Sequence, residues 1–177
     1  MKKLLLAIGL AATLMVIGTA AADETQTPMS FSIEVQMTGP DFVGLVPEGV
    51  RLDGHTVLVG GDGLMAGATG SATDYLLVRH DGVGVADVRG YGVLADGSPI
   101  GMTLKGFIGD PTIMPSIDVW LDPDYEWPDT DLPYHGAGWW QSMAPQHAFL
   151  NYTVFGFTGS INMATGVVRI TFTSLAE

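Results

Sequence analysis

The stretch "DYLLVRHDGVGVADVRGYGVLADGSPIGMTLKG", residues 74–106, decides the fold, because two Asp-Gly pairs separate segments that are rich in strand-forming residues. Asp-Gly accommodates the positive φ angles of tight hairpin turns, so each pair predicts a reversal of the chain. Residues 74–80, 83–94 and 100–108 are therefore predicted to form three consecutive antiparallel strands.

Alternating polarity extends to both sides of this stretch. In "FSIEVQMT", residues 31–38, every second side chain is apolar, as in a strand with one buried face. Further strands are predicted at 55–61, 149–158 and 167–173, the last two joined across "GSINMATG". The 24 glycines suit a strongly curved sheet, since glycine permits bulges and bends. The sequence thus predicts an all-β fold with a single antiparallel β-barrel.

Residues 110–146 interrupt this pattern with a long segment that is rich in proline, acidic residues and aromatic residues. Long loops are commonly functional covers or disordered insertions, and disordered segments contain few aromatic residues. We therefore expect an ordered flap that packs on the barrel. Its aromatic residues are Trp120, Tyr125, Trp127, Tyr134, Trp139 and Trp140.

The first 22 residues have the order of a secretory signal peptide: two lysines, an apolar run, and small residues ending at Ala22. We expect cleavage before Asp23, leaving residues 23–177 as one exported domain, periplasmic or secreted, with no stable membrane insertion. The chain contains no cysteine, so neither a disulfide nor a lipid-modified cysteine is available.

The acidic balance of the chain excludes one class of partner. Removal of Lys2 and Lys3 with the leader leaves five basic and nineteen acidic residues, a net charge of −14. Such a surface repels phosphate backbones, so we expect no nucleic-acid partner. The sequence leaves self-association into a homo-oligomer open.

The collinear order of several short motifs resembles a family of small bacterial and fungal proteins known as domain of unknown function 3237. The motifs are Asp74-Tyr75, Asp81-Gly82, Asp87-Val88-Arg89, Asp96-Gly97, residues 100–106 and Phe149-Leu150-Asn151. The resemblance implies a compact antiparallel barrel with an internal cavity, similar in shape to lipocalin or allene oxide cyclase barrels. Cofactor-free cyclisation or isomerisation is a conceivable role for such barrels.

The chain departs from that family at two positions. Gly90 stands where the family usually has tyrosine, and Gly101 stands where it usually has an aromatic residue. The loss of two rings predicts either an enlarged cavity or a space that the flap tryptophans fill.

Asp87, Arg89 and Tyr91 share one face of the predicted strand 83–94. If that face lines a pocket, Arg89 could hold an anionic oxygen, Asp87 could orient Arg89, and Tyr91 could donate a proton. If the face is external, Asp87 and Arg89 form an ion pair that fixes sheet register. The sequence leaves both interpretations open.

The remaining candidate site residues surround the predicted flap and the family motifs. His147 is a candidate general base at the barrel mouth, since histidine titrates near neutral pH; the alternative is a structural histidine. The candidate ligand-binding residues are Asp74, Tyr75, Asn151, Trp139 and Trp140.

Metal and cofactor signatures are weak or missing. The spacing of Asp122, Asp124, Glu126, Asp129 and Asp131 resembles that of a calcium loop, but the glycine expected at its sixth position is absent. There is no nucleophile elbow and no phosphate-binding loop. We therefore expect no metal and no cofactor.

These observations lead to three functional hypotheses. The first is reversible binding of a small apolar or aromatic molecule in the barrel cavity. The second is cofactor-independent isomerase, cyclase or lyase chemistry by Asp87, Arg89, Tyr91 and His147. The third is a structural or interaction role of the aromatic acidic loop. Whether the protein is an enzyme is left open.

Overall fold

The computed structural model describes residues 28–122 and 124–175, so the predicted signal peptide lies outside the described residues. Eight antiparallel strands form a closed barrel in which each strand pairs with its sequence neighbours and the last strand pairs with the first. The strands are β1 (Ser30–Val46), β2 (Gly49–Gly61), β3 (Thr69–Arg79), β4 (Gly84–Val93), β5 (Pro99–Ile108), β6 (Asp131–Ser142), β7 (Val154–Asn162) and β8 (Val167–Ser174).

The predicted all-β barrel is confirmed, and so is the meander at its centre. The two Asp-Gly pairs close the β3–β4 and β4–β5 turns, where Gly82 and Gly97 have φ angles of 80° and 85°. Apolar side chains from every strand alternate into the interior and form one core.

Two strand predictions were wrong in their bounds. Residues 131–142 belong to β6 rather than to the flap, because Leu132, Tyr134 and Trp140 alternate into the core despite the neighbouring prolines and glycines. The flap is therefore limited to residues 109–130. Residues 149–152 belong to a 3-10 helix, Pro145–Tyr152, and β7 begins only at Val154 and continues through Asn162.

The first hairpin is longer than predicted. β2 begins at Gly49 rather than at residue 55, and β1 continues to Val46. The pairing of β1 with β8 ends at Gln36, so the rest of β1 pairs with β2 alone. This projecting hairpin forms one side of the end of the barrel where the flap lies.

The opposite end of the barrel is closed by an aromatic cluster, defined as Phe31, Trp140, Phe155 and Phe172. Phe31 stacks on Phe172 with ring centroids 5.0 Å apart, and it meets the edges of the other two rings at 5.2 and 5.6 Å. All four side chains are buried. Most of the open space inside the barrel therefore lies in the half nearer the flap.

Within the described ranges, 28–122 and 124–175, no helix has the length and apolar character needed to cross a membrane.

Candidate functional site

The barrel encloses a cavity of about 330 Å³ beneath the flap. Its wall is mostly aliphatic and thioether side chains, and every strand of the barrel contributes at least one lining residue. Cavities of this size hold one small molecule. The polar or aromatic residues that line it are Thr56, Asp74, Trp120, Asp122, Tyr125, Trp127 and Tyr134.

Asp74 places a carboxyl group in this cavity. It lies on the inward face of β3, between Ala72 and Leu76, which also line the cavity. One carboxylate oxygen accepts a hydrogen bond from the backbone N–H of Asp87 at 3.0 Å. Burial raises the pKa of Asp74 to about 7, and the charges of Asp87 and Asp53 act in the same direction. Near neutral pH the protonated and ionised forms of this group are therefore both populated.

Two further polar groups lie in the same cavity wall. The Tyr134 hydroxyl and the Trp120 indole N–H are buried and find no hydrogen-bond partner in the part of the chain that the structure describes. Burial, assisted by the charge of Asp74, raises the pKa of Tyr134, so its hydroxyl stays protonated and available as a donor. Buried polar groups are usually paired in folded proteins, and binding sites are a common exception.

The flap covers the cavity with aromatic rings. Trp120 lies in the 3-10 helix Ile117–Leu121, which Ser116 caps by accepting a hydrogen bond from the Asp118 N–H. The Trp120 and Trp127 rings meet at 4.8 Å, and Tyr125 meets Trp127 at 5.2 Å. These three rings, here called the aromatic roof, are partly buried and line the cavity. Residues of the segment 109–130 therefore pack over this end of the barrel.

The two glycine departures have different consequences. Gly90 faces inward, but a Cβ atom there would lie 2.7 Å from the Met102 methyl group and 3.0 Å from the Ala72 Cβ, so these side chains occupy the space. Gly101 lies between the inward-facing Ile100 and Met102, and a Cβ atom there would meet nothing within 4 Å. Neither glycine lines the main cavity and neither space is filled by a flap tryptophan, so neither of the two predicted outcomes is seen.

Asp87, Arg89 and Tyr91 lie on the outer face of the barrel, which contradicts their assignment to the lumen. The inward positions of β4 are held by Ala86 and Val88, so the alternate residues must face outward. Asp87 accepts hydrogen bonds from Arg89 at 3.0 Å and from Lys105 at 3.2 Å.

This external cluster contains the surface ion pair of Asp87 and Arg89 that was the alternative interpretation of the sequence. The Arg89 hydrogen bond is the largest cause that holds the pKa of Asp87 below its usual value. Tyr91 is 76% exposed and borders only a separate space of about 40 Å³ near Trp140, which has room for a few water molecules. Asp87 thus links β4 to β5 through Lys105 on the surface of the barrel.

The remaining predicted ligand-binding residues are dispersed. Tyr75 and Trp139 face outward and are about half exposed. Trp140 faces inward, but it belongs to the aromatic cluster and borders the smaller space rather than the main cavity. Asn151 bonds to both the N–H and the carbonyl of Ser142, and so fixes the 3-10 helix Pro145–Tyr152 to the end of β6.

His147 lies at the end of the barrel opposite the flap, so its prediction as a base at the mouth was wrong. Its Nε2 atom is 2.8 Å from the carboxylate of Asp96 in the β4–β5 turn. The Ser98 N–H and His147 both donate to this carboxylate and hold the pKa of Asp96 well below its usual range. The contact anchors a loop at the closed end.

The acidic residues of the flap do not converge on a point. Across residues 28–122 and 124–175, no group of three or more His, Cys, Asp or Glu side chains has the arrangement of a metal site. Asp129 and Asp131 instead accept hydrogen bonds from Asn162 on β7.

Of the predicted site residues, the structure brings only Asp74 to the cavity. Tyr134, Trp120 and Trp127 were recognised in the sequence as flap aromatics, but their place in the cavity wall was missed. The alternation of Leu132, Tyr134 and Gly136 in β6 was the signal that could have located Tyr134.

Comparison with known proteins gives a fold but no family. The sequence matches no family model and no curated protein. Three solved structures resemble the barrel: a protein of unknown function from Clostridium acetobutylicum ATCC 824, a conserved protein of unknown function from Rhodopseudomonas palustris, and a β-barrel like protein from Acinetobacter baumannii AYE.

All three similarities extend over most of both chains. The Clostridium structure is 18% identical, with a TM-score of 0.58 over 82% of this chain and 96% of that one. The Rhodopseudomonas structure is 16% identical, with a TM-score of 0.60 over 85% and 100%. The Acinetobacter structure is 17% identical, with a TM-score of 0.54 over 84% and 94%. At these identities, the likeness shows that the chain shares their barrel fold.

Proposed function

We propose that the protein binds a small, largely apolar or aromatic molecule in the barrel cavity, without covalent chemistry. The observation that carries the proposal is a cavity of about 330 Å³ whose wall contains the unpaired Tyr134 hydroxyl and Trp120 N–H. A buried polar group without a partner costs about 1 to 3 kcal/mol. A ligand oxygen that accepts from either donor would offset that cost, while the aliphatic wall would contact the rest of the molecule.

We also propose that the chain is an exported member of the family known as domain of unknown function 3237. Support for family membership comes from the ordered motifs between Asp74 and Gly106 and from Phe149-Leu150-Asn151. Support for export comes from the signal-like residues 1–22.

The binding function is tested by native mass spectrometry of the mature protein, purified gently from its own host. We expect a discrete non-covalent adduct that disappears on denaturation. The released molecule should bind to the protein again and be recovered chemically unaltered. Protein that carries no adduct, and that takes up no component of a host small-molecule extract, would contradict the proposal.

A second candidate function is proton-transfer catalysis on the bound molecule, as in a cofactor-independent isomerase, cyclase or lyase. The observation that favours it is Asp74, whose pKa of about 7 suits a group that gives and takes protons at neutral pH. The protonated Tyr134 hydroxyl could stabilise a developing oxyanion in the same cavity. Asp74 thereby takes the role that the sequence assigned to Asp87, Arg89, Tyr91 and His147.

Hydrogen–deuterium exchange of the ligand in deuterated water distinguishes a catalyst from a carrier protein. If Asp74 moves protons to and from carbon, the recovered ligand or its product gains deuterium, and Asp74→Asn stops that gain. Arg89→Ala is the control, because Arg89 lies outside the barrel, and we expect it to leave exchange unchanged. A ligand that returns without deuterium would leave the protein as a carrier.

The third hypothesis, an interaction role for the aromatic acidic loop, has less support. The rings that would contact a partner, Trp120, Tyr125 and Trp127, are packed over the cavity and partly buried.

A further inference from the structure

We propose that the molecule bound in the cavity carries a cationic ammonium group, which Asp74 and the aromatic roof recognise together. The proposal rests on the binding function above and specifies the chemical class of the ligand. A protonated amine or a quaternary ammonium group on an apolar or aromatic body has the required chemistry.

The charge of the cavity wall is entirely negative. Among the described residues that line it, the only charged side chains are the carboxylates of Asp74, inside, and Asp122, at the mouth; there is no lysine, arginine or histidine. The chain as a whole has a net charge of −12, which further favours the approach of cations. An anionic ligand would meet repulsion at the mouth and again within the lumen.

Among the residues that the structure describes, no basic side chain pairs with the carboxylate of Asp74. Asp74 accepts a hydrogen bond from the backbone of Asp87, whereas the nearby basic groups, Arg89 and Lys105, pair with the Asp87 side chain on the outside of the barrel. A carboxylate removed from water is stabilised by a neighbouring positive charge. A cationic ligand supplies that charge within the lumen.

The aromatic roof places three rings over the mouth of the same cavity. The planes of Trp120 and Trp127 are inclined by 65°, and those of Tyr125 and Trp127 by 86°, so the rings present faces and edges in different directions around the mouth. Aromatic faces attract ammonium groups through the ring quadrupole, and groups of rings are a recurrent site for quaternary ammonium ligands. The roof and Asp74 line the same cavity, so one ligand can contact both.

A neutral ligand is the principal alternative, because a protonated Asp74 could donate a hydrogen bond to it. The two ligand classes differ in charge rather than shape, so a pair of isosteres separates them. The probes are benzyltrimethylammonium and neopentylbenzene, which differ by the replacement of the cationic nitrogen with carbon.

Affinity for each probe is measured by titration of tryptophan fluorescence at about pH 8, where Asp74 is mostly ionised. We expect the cation to bind the wild-type protein at least about tenfold more tightly than its neutral isostere. Asp74→Asn should lower the affinity for the cation about tenfold, while its affinity for the isostere stays within about twofold of the wild-type value. Trp120→Leu, which keeps an apolar side chain, should likewise lower the affinity for the cation more than the affinity for the isostere.

The matched control is Glu48→Gln, which removes one exposed carboxylate from the turn between β1 and β2. Glu48 does not line the cavity and does not act on Asp74, so we expect this variant to bind both probes like the wild type. Equal or tighter binding of neopentylbenzene by the wild-type protein would overturn the ammonium inference and leave cavity binding intact. A protein that binds neither probe, nor any host molecule, would overturn both.

Discussion

Between about pH 5 and pH 8 the unfolding free energy of the wild-type protein is expected to fall by about 2 to 3 kcal/mol, and replacing Asp74 with asparagine is expected to abolish this fall. Burial raises the pKa of this carboxyl group from 3.8 to about 7. Below the unfolded-state pKa both states hold the proton. Between the two values only the folded state holds it, so the stability falls as the pH rises and levels off above the folded pKa.

The groups that act on Asp74 do not reverse this direction. The Asp87 N–H lowers the pKa, while the charges of Asp87 and Asp53 raise it together with the dominant effect of burial. Asparagine keeps an oxygen that can accept from the Asp87 N–H but carries no titrating proton. The variant therefore retains the local hydrogen bond and loses the pH dependence.

Urea unfolding of the wild type and of Asp74→Asn at a series of pH values measures this effect. The difference between their unfolding free energies should grow from pH 5 to pH 8 in favour of the variant. Glu48→Gln is the control, because Glu48 is exposed in the turn between β1 and β2 and does not act on Asp74, and it should follow the wild type. Parallel curves for the wild type and Asp74→Asn would show that Asp74 titrates normally and would remove the main support for its role in proton transfer.

Phe172→Ala is expected to lower the unfolding free energy by about 3 to 5 kcal/mol, the usual range for loss of a buried phenylalanine. Phe172 is fully buried in the aromatic cluster, where it stacks on Phe31 and meets Trp140 at 5.4 Å and Phe157 at 5.7 Å. Closure of the barrel limits how far the surrounding strands can move into the space that the ring leaves. The cost therefore includes the cavity as well as the lost contacts.

Tyr91→Ala provides the matched control, because it truncates an aromatic residue that is 76% exposed on the outer face. We expect a change within about 0.5 kcal/mol, as for other surface substitutions. Chemical denaturation of both variants at one pH gives the comparison. A small loss for Phe172→Ala would mean that the closed end is not the rigid base of the barrel.

The barrel could be predicted because its signals are local. Each Asp-Gly turn and each alternating segment specifies a hairpin without reference to the rest of the chain. β6 was missed because Pro133, Gly136 and Gly138 hid its alternation, yet the lumen needs those glycines. A Cβ atom at Gly136 would lie 2.1 Å from the Lys105 carbonyl oxygen, and one at Gly138 would lie 2.4 Å from a Leu104 methyl group.

The site was harder to predict because it depends on which way each strand faces. The sequence gives β4 two faces, one small and apolar and one with Asp87, Arg89 and Tyr91, and does not say which is internal. The barrel places Ala86 and Val88 inside, where larger side chains from other strands form most of the core. The position of Asp74 relative to Tyr134 and Trp120 depends on long-range pairing that no local motif encodes.

The central claim, that the lumen is the binding site, is tested most directly by filling it. Gly54 lines the cavity, and a Cβ atom there would meet only ordinary contacts at 3.8 Å or more, whereas a Cβ atom at Gly101 would point away from the lumen into open space. Native mass spectra of Gly54→Leu and Gly101→Leu, purified from the host as folded proteins, give the comparison. The account predicts that Gly54→Leu loses the small-molecule adduct and that Gly101→Leu keeps it. An adduct retained by Gly54→Leu at the wild-type level would contradict the account.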